Sequence, residues 1–183
     1  MTEPKQLLGA EEIDRTIQRI VKDLAARIVS ADDTALVGIR THGVTLARRI
    51  HKMLALEYEW DLPLGVLDTT LYRDDILQRA DQPLVRETNI EFDVTDKVVV
   101  LIDDVLYTGR TVRCALDAIM DLGRPRSILL VALVDRGMRE LPIQADVVGV
   151  EIETTRDQIV EVHFAEKEGE DGVWVHTAFE SSP

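Results

Sequence analysis

The stretch "KVVVLIDDVLYTGRT", residues 97–111, joins an apolar run to two adjacent acids and a small polar turn. The run "KVVVLI" (97–102) is rich in β-branched side chains and has no polar alternation, which is typical of a strand covered on both faces. Helical spacing of apolar residues follows from about residue 109 to 122, and Gly123 suits the end of that helix. The stretch therefore predicts a buried strand, a turn and a helix in direct succession.

Alternating strands and helices are predicted on both sides of this stretch. Apolar residues recur at helical spacing over residues 11–29 and 43–56. Further strands are predicted at 34–39, 62–72, 127–134, 145–152 and 159–164, the last with the alternation of an edge strand. This order predicts an α/β fold with a mainly parallel sheet flanked by helices. In such sheets ligands bind beyond the carboxyl ends of the strands, where residues 40–43 and 103–111 form polar turns.

The composition narrows the functional classes. The 183 residues suit a single domain. With 34 acidic against 21 basic residues the net charge is −13, which argues against general binding to nucleic acids or anionic membranes. The single cysteine, Cys114, excludes a disulfide framework and is expected to be a buried, inert thiol. The amino-terminal residues lack the layout of a signal peptide, and no apolar run approaches the roughly 20 residues that span a bilayer, so a cytoplasmic protein is expected.

The turn Thr108-Gly109-Arg110-Thr111 has the features of a phosphate site. The first backbone N–H groups of a helix lack internal partners, and the helix dipole adds positive potential there. Gly109 leaves room for close approach, and the two threonine hydroxyls add donors. The spacing differs from that of a Walker A loop. The turn therefore predicts a cradle for one phosphate monoester.

Asp103 and Asp104 stand a few residues before this turn. Carboxylates only accept hydrogen bonds, so they suit vicinal hydroxyls or a hydrated divalent cation. A phosphate followed by a diol is the layout of a ribose 5-phosphate. The alternative is a helix-capping acid beside an incidental turn, and the local pattern leaves both interpretations open.

The segment "VVLIDDVLYTGRT" (99–111) resembles the 5-phosphoribosyl-1-pyrophosphate (PRPP) motif of type I phosphoribosyltransferases. Four segments together resemble the family of bifunctional pyrimidine operon regulators and uracil phosphoribosyltransferases: "LYRDD" (71–75), "DDVLYTGRTVR" (103–113), "DLGRPRSI" (121–128) and "LVDRGMRELPI" (133–143). The likeness covers nearly the whole chain and is weakest after about residue 150. It implies the type I phosphoribosyltransferase fold as a single domain over residues 1–183, with a core at about 30–140 and a small hood from the terminal segments. It also implies a homo-oligomer, either a homodimer or a homotetramer.

The resemblance implies roles for individual residues. Asp103 and Asp104 match the acids that bind the ribose hydroxyls and, together with Arg73, are the catalytic candidates. Residues 71–75 match the start of a flexible loop that closes over the reacting centre, where Arg73 is a candidate contact for pyrophosphate. The implied PRPP-binding segment consists of Val99, Val100, Leu101, Ile102, Asp103, Asp104, Val105, Leu106, Tyr107, Thr108, Gly109, Arg110 and Thr111. Mg²⁺ is expected to arrive with PRPP, because it keeps waters and bridges phosphates, and no metal site is predicted in the chain itself.

Two further segments complete the implied site. The pyrophosphate loop matches Arg40, Thr41, His42 and Gly43. The strand end that reads the base, largely through backbone groups, matches Val134, Asp135 and Arg136. The family's pyrophosphate loop usually reads Thr-Arg-Gly, and here His42 replaces the arginine. Because an imidazole titrates near neutral pH and lacks the guanidinium fork, pyrophosphate binding is expected to be weaker or pH-sensitive.

The implied reaction converts uracil and PRPP to UMP and pyrophosphate. Family members also regulate pyrimidine biosynthesis genes by binding messenger RNA. Tyr107 stands where purine-type relatives place an acid, which counts against a 6-oxopurine substrate. The alternative function is a nucleotide-sensing, RNA-binding regulator of attenuation that uses the same pocket with little enzymatic activity.

The RNA-binding surface implied by the resemblance is only partly preserved. Its remaining basic residues are Arg19, Lys22, Arg27 and Arg139. Gln18, Met138, Gln144 and Val150 stand where the family has a basic or polar residue. Arg15, Arg19 and Lys22 form a basic stripe on the first helix, for which a solvated helix face is the alternative. Binding to a pyrimidine-operon leader RNA is therefore expected to be weak.

Three lesser features have simple interpretations. The segment "EKEGEDG" (166–172) is expected to form a solvated acidic hairpin turn. Trp60 and Trp174 are expected to pack in the core or at an interface. None of the four histidines has the spacing of metal ligands.

Overall fold

A computed structural model describes residues 4–68 and 88–177 of the chain. Its strands are β1 (Lys5–Leu8), β2 (Thr34–Ile39), β3 (Leu64–Leu67), β4 (Val98–Leu106), β5 (Ser127–Asp135), β6 (Val147–Glu151), β7 (Gln158–His163) and β8 (Gly172–Thr177). Its helices are α1 (Ala10–Arg27), α2 (His42–Tyr58), α3 (Arg110–Leu122) and α4 (Ala165–Glu168). None of these helices is long and apolar enough to cross a membrane.

The main sheet contains five parallel strands in the order β3-β2-β4-β5-β6. Alternate residues of its central strand, β4, belong to different apolar layers. Val100 and Ile102 pack with α1 and α2, whereas Val99 and Leu101 pack with α3. Each such fully buried side chain contributes about 1.5–3 kcal/mol to folding. Both faces of the sheet are thus covered, and the prediction of a parallel α/β sheet flanked by helices is confirmed.

A small antiparallel sheet joins the two ends of the described chain in the order β1-β8-β7. Its inner residues Val162 and Val173 and the adjacent Phe164 belong to the apolar cluster that α1 and α2 share with the main sheet. The strand predicted at 159–164 lies at an edge of this sheet, as expected. The strands β1 and β8 were not predicted, because each is short and finds its partner at the opposite end of the sequence.

Two strands end more than two residues away from their predicted ends. β4 continues to Leu106 instead of ending at 102, because β5 extends alongside it and pairs with Asp103, Val105 and Leu106. Both acids therefore belong to the strand and are held by it. The strand predicted at 62–72 spans only Leu64–Leu67, and the part of the prediction from residue 69 onward lies outside the described residues.

Candidate active site

Three polar segments lie at the carboxyl edge of the main sheet: residues 40–43 after β2, residues 103–111 in and after β4, and residues 135–136 at the end of β5. A glycine allows the first two segments to meet. A Cβ added to Gly43 would lie 2.6 Å from the carbonyl oxygen of Ile102 and 3.1 Å from the Cα of Asp103. The first turn of α2 therefore packs directly against the backbone of β4, beside the two acids.

The two acids face different parts of this edge, because neighbouring side chains of a strand point to opposite sides. Asp103 is 5% exposed, and its Oδ1 accepts a hydrogen bond from the backbone N–H of Asp104 at 3.0 Å. Asp103 also lines a cavity of about 260 Å³ together with residues 105–112. The Oδ2 atom of Asp104 instead lies 3.8 Å from Nδ1 of His42. Asp103 thus belongs to the cavity of the polar turn, and Asp104 to the side of the predicted pyrophosphate loop.

The turn after β4 is shaped by Gly109 and supported by a neighbouring loop. Gly109 has φ 90°, a left-handed conformation that favours glycine, and it precedes the first residue of α3. The carbonyl oxygen of Thr108 accepts hydrogen bonds from the N–H groups of Glu140 and Leu141, at 3.0 and 3.1 Å. The side chain of Arg110 forms an ion pair with Glu140 at 2.7 Å. The turn is therefore braced from outside, and the first residues of α3 line the same cavity as Asp103.

The predicted pyrophosphate loop is held from two sides. Nε of Arg40 lies 3.7 Å from the buried carboxylate of Asp68, at the end of β3. Nε2 of His42 lies 2.9 Å from Oε1 of Glu168, and Nζ of Lys167 donates to the carbonyl oxygen of Thr41 at 3.4 Å. Glu168 and Lys167 were missed by sequence reasoning, because they are about 126 residues away in the chain. The peptide bond between Arg40 and Thr41 is cis.

The segment from Phe164 to Asp171, here called the acidic turn, is bound by Arg49 of α2. Nε and Nη2 of Arg49 donate to Glu166 at 2.9 and 2.5 Å, and Nη1 and Nη2 donate to Asp171 at 2.8 and 2.7 Å. The guanidinium also lies 4.7 Å from the centre of the Phe164 ring. The predicted acidic hairpin turn is confirmed, since residues 165–170 are exposed and lie between the paired strands β7 and β8. Two of its carboxylates are in addition paired with a cation from a distant helix.

This pairing shifts the protonation of all three side chains. The hydrogen bonds to Glu166 and Asp171 raise the pKa of Arg49. The same bonds from Arg49 lower the pKa of the carboxyl groups of Glu166 and Asp171 below their usual values. The pairing thus favours the ionised form of both acids and links the stability of the fold to pH.

We expect Arg49→Met to lower the free energy of unfolding by about 2 kcal/mol at pH 7, between the values typical of exposed and of buried ion pairs. Because the carboxyl pKa values are lowered in the folded state, the stabilisation is fully present above the ordinary values of 4.5 and 3.8 and is lost as the pH falls through the lowered ones. Urea unfolding at pH 7 and at about pH 3 measures the effect. Arg48→Met, an exposed neighbour on the same helix, is the control. Equal stability of the Arg49 variant and wild type at pH 7 would contradict this assignment.

The end of β5 is fixed by the side chain of Arg136, which is 5% exposed. Its Nε donates to Oγ1 of Thr154 at 3.1 Å, and its Nη2 donates to the carbonyl oxygens of Thr155 and Gln158 at 3.0 and 2.7 Å. The guanidinium stacks on the ring of Tyr107 at 4.0 Å. Burial lowers the pKa of Arg136, and the interaction with Tyr107 opposes that effect. Arg136 therefore ties Tyr107 and the segment 154–158 into one wall beside the strand end.

The carboxylate of Asp135, the last residue of β5, is also hydrogen-bonded within the protein. Its Oδ1 accepts the N–H of Gly137 at 2.8 Å, and its Oδ2 accepts a hydrogen bond from Arg139. Val134 is fully buried. The side chains of all three residues predicted to bind the base are thus used within the protein, which leaves backbone groups as their means of reading a base.

Among the four basic residues predicted for an RNA-binding surface, two donate hydrogen bonds to carbonyl oxygens of the protein and the other two are exposed on α1. Nε of Arg139 donates to the carbonyl oxygen of Ile143 at 2.8 Å. Its Nη1 donates to the carbonyl oxygens of Tyr107 and Gly137, at 2.8 and 3.0 Å. Its Nη2 donates to the carboxylate of Asp135. Arg19 is exposed and donates to the carbonyl oxygens of Val148 and Gly149. Lys22 and Arg27 are exposed on α1. Most donors of Arg139 therefore support the loop after β5, a role that its sequence position did not indicate.

The remaining predictions concern the cysteine, the two tryptophans, metal ligands and the segment that contains Arg73. Cys114 is buried within α3, as expected. Trp60 packs on the edge of the apolar core, and Trp174 contacts the His163 ring with 4.4 Å between ring centres. Within residues 4–68 and 88–177, no group of three or more His, Cys, Asp or Glu side chains is arranged to hold a metal ion. Arg73 and the loop predicted at 71–75 lie outside the described residues.

Known proteins share both the sequence and the fold. A family model described as "Phosphoribosyl transferase domain" matches residues 9–167. The "Bifunctional protein PyrR" of Thermus aquaticus is 52% identical over 169 residues, which cover 92% of this chain and 93% of the relative. The protein of the same name from Clostridioides difficile is 48% identical over 175 residues, which cover 96% of this chain and 99% of the relative. The chain belongs to the PyrR family of phosphoribosyltransferases.

A solved structure extends the comparison to the fold. The hypoxanthine-guanine phosphoribosyltransferase of Bacillus anthracis aligns with a TM-score of 0.71, covering 95% of this chain and 98% of that chain at 14% identity. At this level of identity the likeness concerns the fold alone. The predicted family and the predicted type I phosphoribosyltransferase fold are thus confirmed.

Proposed function

We propose that the protein is a uracil phosphoribosyltransferase, which forms UMP and pyrophosphate from uracil and PRPP. The observation that carries the proposal is the close approach of Gly43 to β4, which places a helix amino terminus, two acids and a phosphate-sized turn around one edge of the sheet. PRPP carries a pyrophosphate, a diol and a 5-phosphate in the same order. Membership of a family whose relatives are named as bifunctional supports the same activity.

Each segment has a distinct task in this reaction. The N–H groups at the start of α3 and the hydroxyls of Thr108 and Thr111 bind the 5-phosphate, and Asp103 and Asp104 bind the ribose hydroxyls. The bond from the anomeric carbon to pyrophosphate breaks, and pyrophosphate leaves with the electron pair. N1 of uracil forms the new bond and releases its proton to pyrophosphate or water. The protein accelerates this exchange by positioning the reactants and stabilising the leaving charge.

Mg²⁺ would arrive with PRPP and would supply positive charge at its pyrophosphate group. The carboxylate of Asp104 is the oxygen donor that faces the pyrophosphate loop, 3.8 Å from His42. Oδ1 of Asp103 already accepts a hydrogen bond from its own chain. Asp104 is therefore the acid that fits an outer contact to a metal–pyrophosphate complex.

Selection of the base rests on Tyr107 and the strand end of β5. Tyr107, whose ring stacks on Arg136, has a phenol and no carboxylate to offer to a purine. We expect initial rates with uracil to exceed those with hypoxanthine or guanine at least about tenfold at equal concentrations. A radiolabelled-base assay with fixed PRPP and Mg²⁺ measures this. Faster transfer to a purine would overturn the proposed substrate.

Three further proposals concern parts of the protein around this site. The small sheet is proposed to serve as the hood over the base, and the segment with Arg73 as the loop that closes on pyrophosphate. The protein is also proposed to act as a homodimer or homotetramer, which light scattering after gel filtration tests.

The second proposed function is regulation of pyrimidine biosynthesis genes through a leader RNA and UMP; the exposed basic residues of α1 favour it.

A further inference from the structure

The acidic turn contacts the predicted pyrophosphate loop through a carboxylate that is itself fixed. Oε1 of Glu168 lies 2.9 Å from Nε2 of His42, and Oε2 of Glu168 accepts the backbone N–H of Phe164 at 2.9 Å. Burial opposes ionisation of this carboxyl group, but its hydrogen bonds outweigh that effect and lower its pKa. Glu168 is thus a stable anion with one oxygen tied to its own turn and the other directed at the imidazole.

The turn that carries Glu168 is anchored to the same helix that His42 begins. Arg49 lies two turns further along α2 and binds Glu166 and Asp171, on either side of Glu168 in the acidic turn. The N–H of Ala165 also donates to Asp171 at 2.7 Å. The geometry between Glu168 and His42 is therefore imposed by a rigid connection and does not depend on a chance meeting of two exposed side chains.

His42 is consequently held between two anions from different elements. Glu168 of α4 faces Nε2, Asp104 of β4 faces Nδ1 at 3.8 Å, and the Phe164 ring lies with its centre 6.2 Å from that of the imidazole. His163 interacts with Glu168 at longer range, and Lys167 reaches the carbonyl oxygen of Thr41. A carboxylate only accepts hydrogen bonds, so Nε2 of His42 is the donor in its contact with Glu168.

We propose that Glu168 is a positioning residue of the pyrophosphate site, acting through His42. This rests on the proposed function. The two nitrogens of an imidazole point in different directions, and the partner of one nitrogen sets what the other can do. By binding Nε2, Glu168 directs Nδ1 toward Asp104 and the edge where pyrophosphate binds. A guanidinium would offer several donors without such help, whereas a histidine at this position depends on its orientation.

If Glu168 instead acted directly on the substrate, its removal would change the binding of pyrophosphate in the opposite direction. A carboxylate near the loop repels a polyphosphate, so its removal alone would tighten binding. Orientation through His42 predicts weaker binding when Glu168 is removed, and no change when His42 is already absent. The sign of the effect and its dependence on His42 therefore separate the two roles.

Glu168→Ala is the test, with Glu170→Ala as the matched control. Glu170 is an exposed acid of the same turn and has no bond to His42 among the described residues. We expect Glu168→Ala to weaken binding of magnesium pyrophosphate, measured calorimetrically, and to raise KM for PRPP by about five- to tenfold, as for loss of one charge-assisted bond. KM for uracil should change less than about twofold, and Glu170→Ala should match wild type. In a His42→Ala background, Glu168→Ala should add nothing.

Nitrogen NMR of the imidazole groups gives a readout that does not require activity. The His42 signals, identified by their loss in His42→Ala, should move in Glu168→Ala and stay in place in Glu170→Ala. Unmoved signals, unchanged or tighter pyrophosphate binding, or an effect that persists without His42 would each overturn the inference. Wild-type protein that makes no UMP while its pyrophosphate binding still responds to Glu168 would overturn the proposed function alone.

Discussion

Asp103→Asn combined with Asp104→Asn is expected to lower the rate of UMP formation about 100-fold, and at least tenfold, at subsaturating PRPP. A hydrogen bond to a charged group contributes roughly 1.5–3 kcal/mol, and the double variant removes the charge from two acceptors. A loss of about 1.4 kcal/mol corresponds to a tenfold change in rate. Steady-state rates with uracil and magnesium-PRPP measure the effect.

The single variants should separate two contributions, because the acids face different sides of the edge. Asp104→Asn is expected to act chiefly on the pyrophosphate side, where Asp104 faces His42, whereas Asp103→Asn affects the cavity of the phosphate turn. Asp121→Asn, an exposed acid of α3, is the control for loss of charge. Circular dichroism must match wild type, since Asp103 also bonds the backbone of β4. A folded double variant with wild-type rates would remove both acids from the site.

The second prediction with a large expected effect concerns the affinity of the protein for RNA. We expect the protein to bind its pyrimidine-operon leader RNA with a dissociation constant in the micromolar range or weaker, about 1,000-fold above the nanomolar level of specific regulators. Arg139 uses most of its donors inside the protein, and Arg19 already donates to two carbonyl groups, so two of the four basic residues predicted for this surface are bonded within the protein. The net charge of −13 adds repulsion at longer range.

Mobility shifts at two salt concentrations, with and without UMP, test this expectation. Each phosphate contact on a single strand lowers log K by about 0.7 for each log unit of salt, so a small slope indicates few contacts. Lys22→Ala with Arg27→Ala should abolish what binding remains, and Lys52→Ala on α2 is the control. Nanomolar, UMP-stimulated binding at about 0.15 M salt would show that the lost basic residues are dispensable.

The parts of the fold and site that were predictable from sequence depend on local patterns. The β-branched run of β4 and the glycine-containing turn before α3 each reveal their structure within about a dozen residues, because strand burial and helix starts follow short-range rules. The order of strands and helices then implies the parallel sheet and the edge where polar turns meet.

The remaining features depend on pairs that are distant in sequence. Arg49 and Glu166 are 117 residues apart, and His42 and Glu168 are 126 apart. An acidic run such as 166–172 carries no local sign of the cation that it will meet. The inward bonding of Arg139 is of the same kind, since its acceptors include a backbone carbonyl 32 residues away. Such contacts require the folded structure.

Phosphorus NMR of the protein mixed with PRPP and Mg²⁺, with and without uracil, tests the central claim most directly. The proposed function predicts that the signals of PRPP are replaced by those of UMP and pyrophosphate in equal amounts, and only when uracil is present. A spectrum in which PRPP persists with uracil, or is consumed equally with a purine base, would contradict the assignment of the protein as a uracil phosphoribosyltransferase.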